Sequence, residues 1–149
     1  MELKSKLLAR DRGLYLYGTT PPRQGTSRQK CSEIAEKLRA RLSELALDAI
    51  NVYNIQDEVG RTQNPRPFPF LPTIDARAYA KILKNLTGKE IINYKFVVHH
   101  PEADFETWLD ECWQQFGLQY LTLSIYSGLL RQLATDFRLD RSFKYAFRY

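Results

Sequence analysis

Cysteine is scarce, with Cys31 and Cys112 the two in 149 residues. Both fall on the apolar side of helical patterns, which reads as buried thiols and excludes a disulfide framework. Histidine is as rare. His99 and His100 are neighbours and stand alone, so no zinc-type ligand set can be assembled and no metal is expected. Glycine is thin too: Gly13 and Gly18 flank one strand pattern and Gly25 is isolated, which excludes a dinucleotide fingerprint and a P-loop. A Ser-His-Asp hydrolase is excluded in the same way by the lack of a nucleophile elbow. No run approaches the roughly 18 uncharged apolar residues of a membrane helix. Arg10, Asp11 and Arg12 stand where a signal peptide needs its apolar stretch. A soluble, cytoplasmic protein with no membrane partner is the expectation.

What is present suits one globular domain over residues 1–149, at 44% hydrophobic and 26% charged. The net charge of +5 is only partly clustered. Arg28, Lys30, Lys37, Arg39 and Arg41 alternate with Glu33, Glu36 and Glu44, the pattern of a solvated helix face. The segment 126–149 is more one-sided, and its Phe143, Tyr145, Phe147 and Tyr149 are the one place where a nucleic acid would stack. The mixed charge elsewhere weighs against nucleic acid as the partner.

Along the chain, Gly13 to Thr20 is a strand pattern stopped by Pro21 and Pro22. Ser27 caps a helix over 28–46, where Cys31, Ile34, Ala35, Leu38, Leu42 and Leu45 form one stripe. Leu47 to Ile55 is the next strand. Gln56 to Thr73 holds Pro65, Pro67, Pro69 and Pro72 with Phe68 and Phe70, a loop too long for a plain connection and suited to a covering role. Asp75 caps a second helix striped by Tyr79, Ile82, Leu83 and Leu86 and stopped at Gly88. A strand over 91–98 follows, then a helix marked by Phe105, Trp108, Leu109, Cys112 and Phe116 that closes at Gly117, then a strand over 120–125. The tail 142–149 alternates at period two, as a short strand does.

The order βαβαβαβ over residues 14–125, at intervals of roughly 30 to 40 residues, predicts an α/β fold of parallel βα repeats. About four strands do not close a barrel of eight units, so the expected architecture is a short open sheet or half of a TIM-barrel-like fold with an atypical tail.

The run Tyr17-Gly18-Thr19-Thr20-Pro21-Pro22-Arg23, with Asp48 to Arg61 and Arg66-Pro67-Phe68-Pro69-Phe70-Leu71-Pro72, resembles the methylenetetrahydrofolate reductase family, in particular its divergent reductase-like branch. The resemblance covers the N-terminal half of that family's (β/α)₈ barrel. It implies FAD at the carboxyl ends of the strands, a folate-like substrate stacked on it, and hydride supplied by NAD(P)H, in one-carbon metabolism. Gly18 stands where the family carries its first-strand glutamate, and Ser127 nearest its acidic flavin ligand. The second half of the barrel has no counterpart here, as expected of a truncated or degenerate member.

In a parallel sheet, ligands bind beyond the carboxyl ends of the strands. That rule selects Thr19, Thr20, Asn54, Gln56, His100 and Ser127 as cofactor-binding candidates, and Asp57, Glu58 and His99 as candidates for proton transfer. The same residues also suit plainer roles, in turn hydrogen bonds and in a loop salt bridge of Asp57 or Glu58 with Arg61. An incomplete sheet leaves an unpaired edge, so self-association, or a partner that completes the sheet, is the expected form of assembly. The alternative function is a non-catalytic interaction domain derived from a barrel.

Overall fold

A computed structural model describes residues 3–9, 13–54, 67, 71–96, 102–124 and 144–145. The elements are α1 (Leu3–Ala9), β1 (Leu16–Thr19), α2 (Arg28–Leu42), β2 (Ala49–Tyr53), α3 (Ala76–Thr87), β3 (Glu90–Phe96), α4 (Glu102–Gln114), β4 (Tyr120–Ser124) and β5 (Lys144–Tyr145).

The strands form one sheet in the order β1-β2-β3-β4-β5, and every neighbouring pair is parallel. The expected α/β fold of parallel repeats is therefore the observed one. Sequential order decides between its two variants. A doubly wound sheet reverses its order and carries helices on both faces, whereas right-handed crossovers that always step the same way put their helices on one face, as in an arc of a barrel. Accordingly α2, α3 and α4 share a single core with one face of the sheet, through Ala35, Leu38, Leu83, Leu109, Cys112, Ile50, Val52, Ile91 and Leu121.

The helix limits follow local chemistry. Ser27 Oγ accepts from the Lys30 N–H at 3.2 Å and opens α2. Asp75 accepts from the Arg77 N–H at 2.8 Å and opens α3. Gly88, at φ +65°, ends α3 in the left-handed region, where a side chain would be strained, and its N–H returns to the Lys84 carbonyl. The helix expected over 28–46 stops at Leu42, so Leu45 leaves the stripe and is 48% exposed. Both cysteines are free and buried, and burial pushes the Cys112 thiol up to about 12.

Two features stabilise the ends of the sheet. At the amino end, α1 packs Leu3 against Ala49, Ile92 and Tyr120 on the face opposite the other helices. At the carboxyl end, the double proline meets the segment entering α3: the Gln24 N–H donates to the Pro72 carbonyl at 2.9 Å and the Ile74 N–H to the Pro22 carbonyl at 3.0 Å. The remainder of the proline-rich loop, with Phe68 and Phe70, lies outside the described residues. In the tail, expected as a short strand over 142–149, Lys144–Tyr145 form β5, paired with β4, and the other tail residues lie outside the described ones.

Candidate functional site

Strand register sorts the side chains into rows. Side chains alternate between faces and parallel partners share one, so Ile50 and Ile91 mark the helix side while their neighbours Asn51 and Ile92 mark the other. On that second face, one row runs Gly18, Asn51, Ile92, Tyr120. The next row toward the carboxyl ends runs Tyr53, Tyr94, Thr122. On this face α1 covers Ile92 and Tyr120 of the lower row, while Gly18 is exposed and Asn51 half-buried. Tyr53 is 38% exposed, and Tyr94 and Thr122 are half-buried.

The two tyrosines meet edge to face, with ring centroids 5.6 Å apart and planes at 61°. Tyr53 also lies down across β1. A β-carbon on Gly18 would stand 2.7 Å from Tyr53 Cε2 and 2.8 Å from its hydroxyl oxygen, so a larger residue at position 18 would compete with this ring for the same space. Beside Gly18 in register, Asn51 carries a side-chain oxygen that is buried and accepts no hydrogen bond among the described residues.

Of the residues selected from the sequence, Thr19 ends β1 in register with buried Val52, hence on the helix side. Thr20 follows it and is exposed. Asn54 leaves β2 and its N–H donates to the Tyr94 carbonyl at 3.1 Å, which brings it beside the tyrosine row. Gln56, Asp57, Glu58, His99, His100 and Ser127 lie outside the described residues. Selecting residues after the strands missed Asn51, Tyr53, Tyr94 and Thr122, which are inside them. The alternation of Asn51 and Tyr53 with the apolar Ile50 and Val52 was the available signal.

A second polar cluster lies on the helix side. Arg77 pairs with Asp75 at 2.8 Å and Glu111 at 2.6 Å, and its guanidinium lies 5.4 Å and 5.0 Å from the ring centres of Trp108 and Phe116. Burial works against the Arg77 charge, but hydrogen bonds to Asp75 and Glu111 outweigh it and hold the charge firmly. Lys95 is 6% exposed, with its ammonium 5.0 Å from the Trp108 ring centre. Burial first, and then repulsion from Arg77, lower its pKa from the ordinary 10.5. The unfolded chain therefore binds the Lys95 proton more tightly, so the penalty is full below the lowered pKa and fades as pH rises through it toward 10.5. Lys95→Met is accordingly expected to raise stability at pH 7 by about 1 kcal/mol, with a smaller gain at pH 10. Urea unfolding at both pH values checks this; a loss of stability at pH 7 would assign the ammonium a structural role instead.

Among the described residues no group of acidic, cysteine or histidine side chains is arranged to hold a metal ion, and no helix is long and apolar enough to cross a membrane. No protein-family model and no curated protein matches this chain. A solved structure does: an uncharacterized protein from Clostridium thermocellum, described as binding two copies of 5-methyl-5,6,7,8-tetrahydrofolic acid, matches with a TM-score of 0.68 and 24% identity, over 97% of this chain and 47% of that one. The chain thus spans about half the length of that structure, and the likeness establishes the shared α/β fold.

Proposed function

We propose that this chain binds a folate-class ligand at the carboxyl end of its sheet, on the row Tyr53, Tyr94 and Thr122. The observation that carries the reading is a row of aromatic and polar side chains, Tyr53 exposed and Tyr94 and Thr122 half-buried, on the one face that the crossover helices do not cover. Aromatic faces hold flat rings, and a few polar groups orient them. Two independent likenesses support the choice of ligand: the methylenetetrahydrofolate reductase-like sequence around Pro21 and Pro22, and the fold shared with a protein described as binding a methylated tetrahydrofolate.

The reading extends to a flavin-dependent reductase in one-carbon metabolism. By the resemblance, the flat ring of FAD would lie at this same carboxyl end of the sheet, against the folate-class ligand held on the tyrosine row. When bound, a flavin supplies hydride transfer from NAD(P)H. Gly18, having no side chain, supplies no proton at the first-strand position, so this chain's own contribution is to bind and orient the ring.

Titration of the purified protein with 5-methyltetrahydrofolate, followed by calorimetry, tests the binding reading. Saturable binding with a defined stoichiometry is the expected result, and no heat up to millimolar ligand would overturn it. The absorbance spectrum with added FAD tests the extension separately.

A second reading, an assembly domain, is favoured by β1, which pairs on one side with β2 and exposes Tyr15 at 69% and Leu16 at 44%. Two copies joining half-barrels would give about twice the mass of 17.5 kDa by light scattering. A monomer that still binds folate would set this reading aside.

A further inference from the structure

We infer that Asn51 reads an N–H donor on the edge of the bound ring, and that Tyr53 covers this subsite by resting on Gly18. The inference deepens the folate-class reading and rests on it. Its ligand is a planar heterocycle with N–H donors along one edge, such as the aminopyrimidinone ring of a pterin.

A buried carbonyl oxygen with no donor costs about 1–3 kcal/mol, so few are kept in native proteins. Among the described residues, unpaired side-chain atoms also occur on Asn93, but Asn93 lies on the helix side between Val52 and Leu121 of the core and is closed to any ligand. Asn51 lies on the opposite face, one strand from Gly18 and two residues before Tyr53.

Gly18 explains how such an oxygen can be reached. The space beside its α-carbon is filled by the far end of the Tyr53 side chain: Cε2, the hydroxyl oxygen and Cζ lie 2.7, 2.8 and 3.2 Å from where a β-carbon would be. A ring tip can leave by rotation about side-chain bonds, with no change in the backbone, and Tyr53 already has solvent on one side. The vacated space has bare Gly18 backbone at one edge, with Asn51 in register on the neighbouring strand and Tyr94 against the Tyr53 ring. A flat ring bearing N–H donors matches that shape and supplies the missing donor.

Calorimetric titration of the full chain with 5-methyltetrahydrofolate, as wild type, Asn51→Leu and Gly18→Ala, tests this. Asn51→Leu keeps the branched outline of the side chain and removes the acceptor, so binding is expected to weaken about tenfold or more while the melting temperature holds or rises. A merely structural Asn51 would lower the melting temperature instead. Gly18→Ala places a methyl group in the space the ring needs, and an equal loss is expected. Wild-type binding with both variants within twofold of it overturns the Asn51 subsite and leaves the folate reading intact. Absence of wild-type binding overturns both. Should Asn51→Leu fail to fold, unchanged binding by Gly18→Ala alone overturns the inference.

Discussion

Asp48→Ala is expected to destabilise the protein by about 2–3 kcal/mol, a fall of roughly 5–10 °C in melting temperature for a domain of this size. Asp48 is nearly sealed, with its side chain 4% exposed. One oxygen accepts from the Lys6 ammonium at 2.6 Å and the other from the Tyr15 N–H at 2.9 Å. Its own N–H donates to the Tyr15 carbonyl at 2.8 Å. One carboxylate thus ties α1 to the start of β1 and to the entry of β2. Its removal leaves a part-buried ammonium and a backbone donor without that partner, and it releases the anchor that brings Leu3 onto Ala49, Ile92 and Tyr120. Since α1 closes the amino end of the binding face, the variant is also expected to bind ligand more weakly. Urea unfolding measures the first effect, and a loss below about 1 kcal/mol would show that α1 contributes little.

Leu83→Ala is expected to cost about 3 kcal/mol or more. Leu83 is 0% exposed on α3 and belongs to the core shared by α2, α3, α4 and the sheet. Truncation there removes apolar contact and leaves a cavity that neighbours such as Tyr79 and Ile91, themselves held in place, fill poorly. The loss should appear in the unfolding midpoint and leave ligand affinity unchanged, because Leu83 is on the helix side of the sheet. A variant that folds with wild-type stability would contradict the single-core arrangement.

These two sites differ in how they were written in the sequence. Leu83 belongs to a helical stripe, and α3 carries its start signal, Asp75, and its stop signal, Gly88, in the residues that flank it. The repeated βα units and their parallel sheet were legible for that reason. α1 was not. Its seven residues, LKSKLLA, bury only Leu3 among themselves, and its ion pair joins residues 42 positions apart, so nothing local marks it. Leu45 continued the stripe of α2 in spacing and yet lies beyond the end of the helix, where spacing no longer reports burial.

The candidate site was legible in part. The expectation that ligands meet the carboxyl ends of strands pointed to the end of the sheet where the proposed site lies, and Asn54 does lie beside the tyrosine row. Alternation divides Ala49 to Tyr53 into two faces, but which face stays open depends on where α2, α3 and α4 pack, and that is set by the strand order. Tyr53 and Asn51 therefore emerge only with the register. Lys95 is similar: a lysine in a strand reads as solvated until Trp108 is found over it.

The most direct test of the account is an amide NMR titration of the isotopically labelled protein with 5-methyltetrahydrofolate. The account expects saturable shifts concentrated at Gly18, Asn51, Tyr53, Tyr94 and Thr122, with Lys30 and Glu33 on the exposed face of α2 unmoved. Saturable shifts that leave the tyrosine row untouched, or no shifts at all, would contradict it.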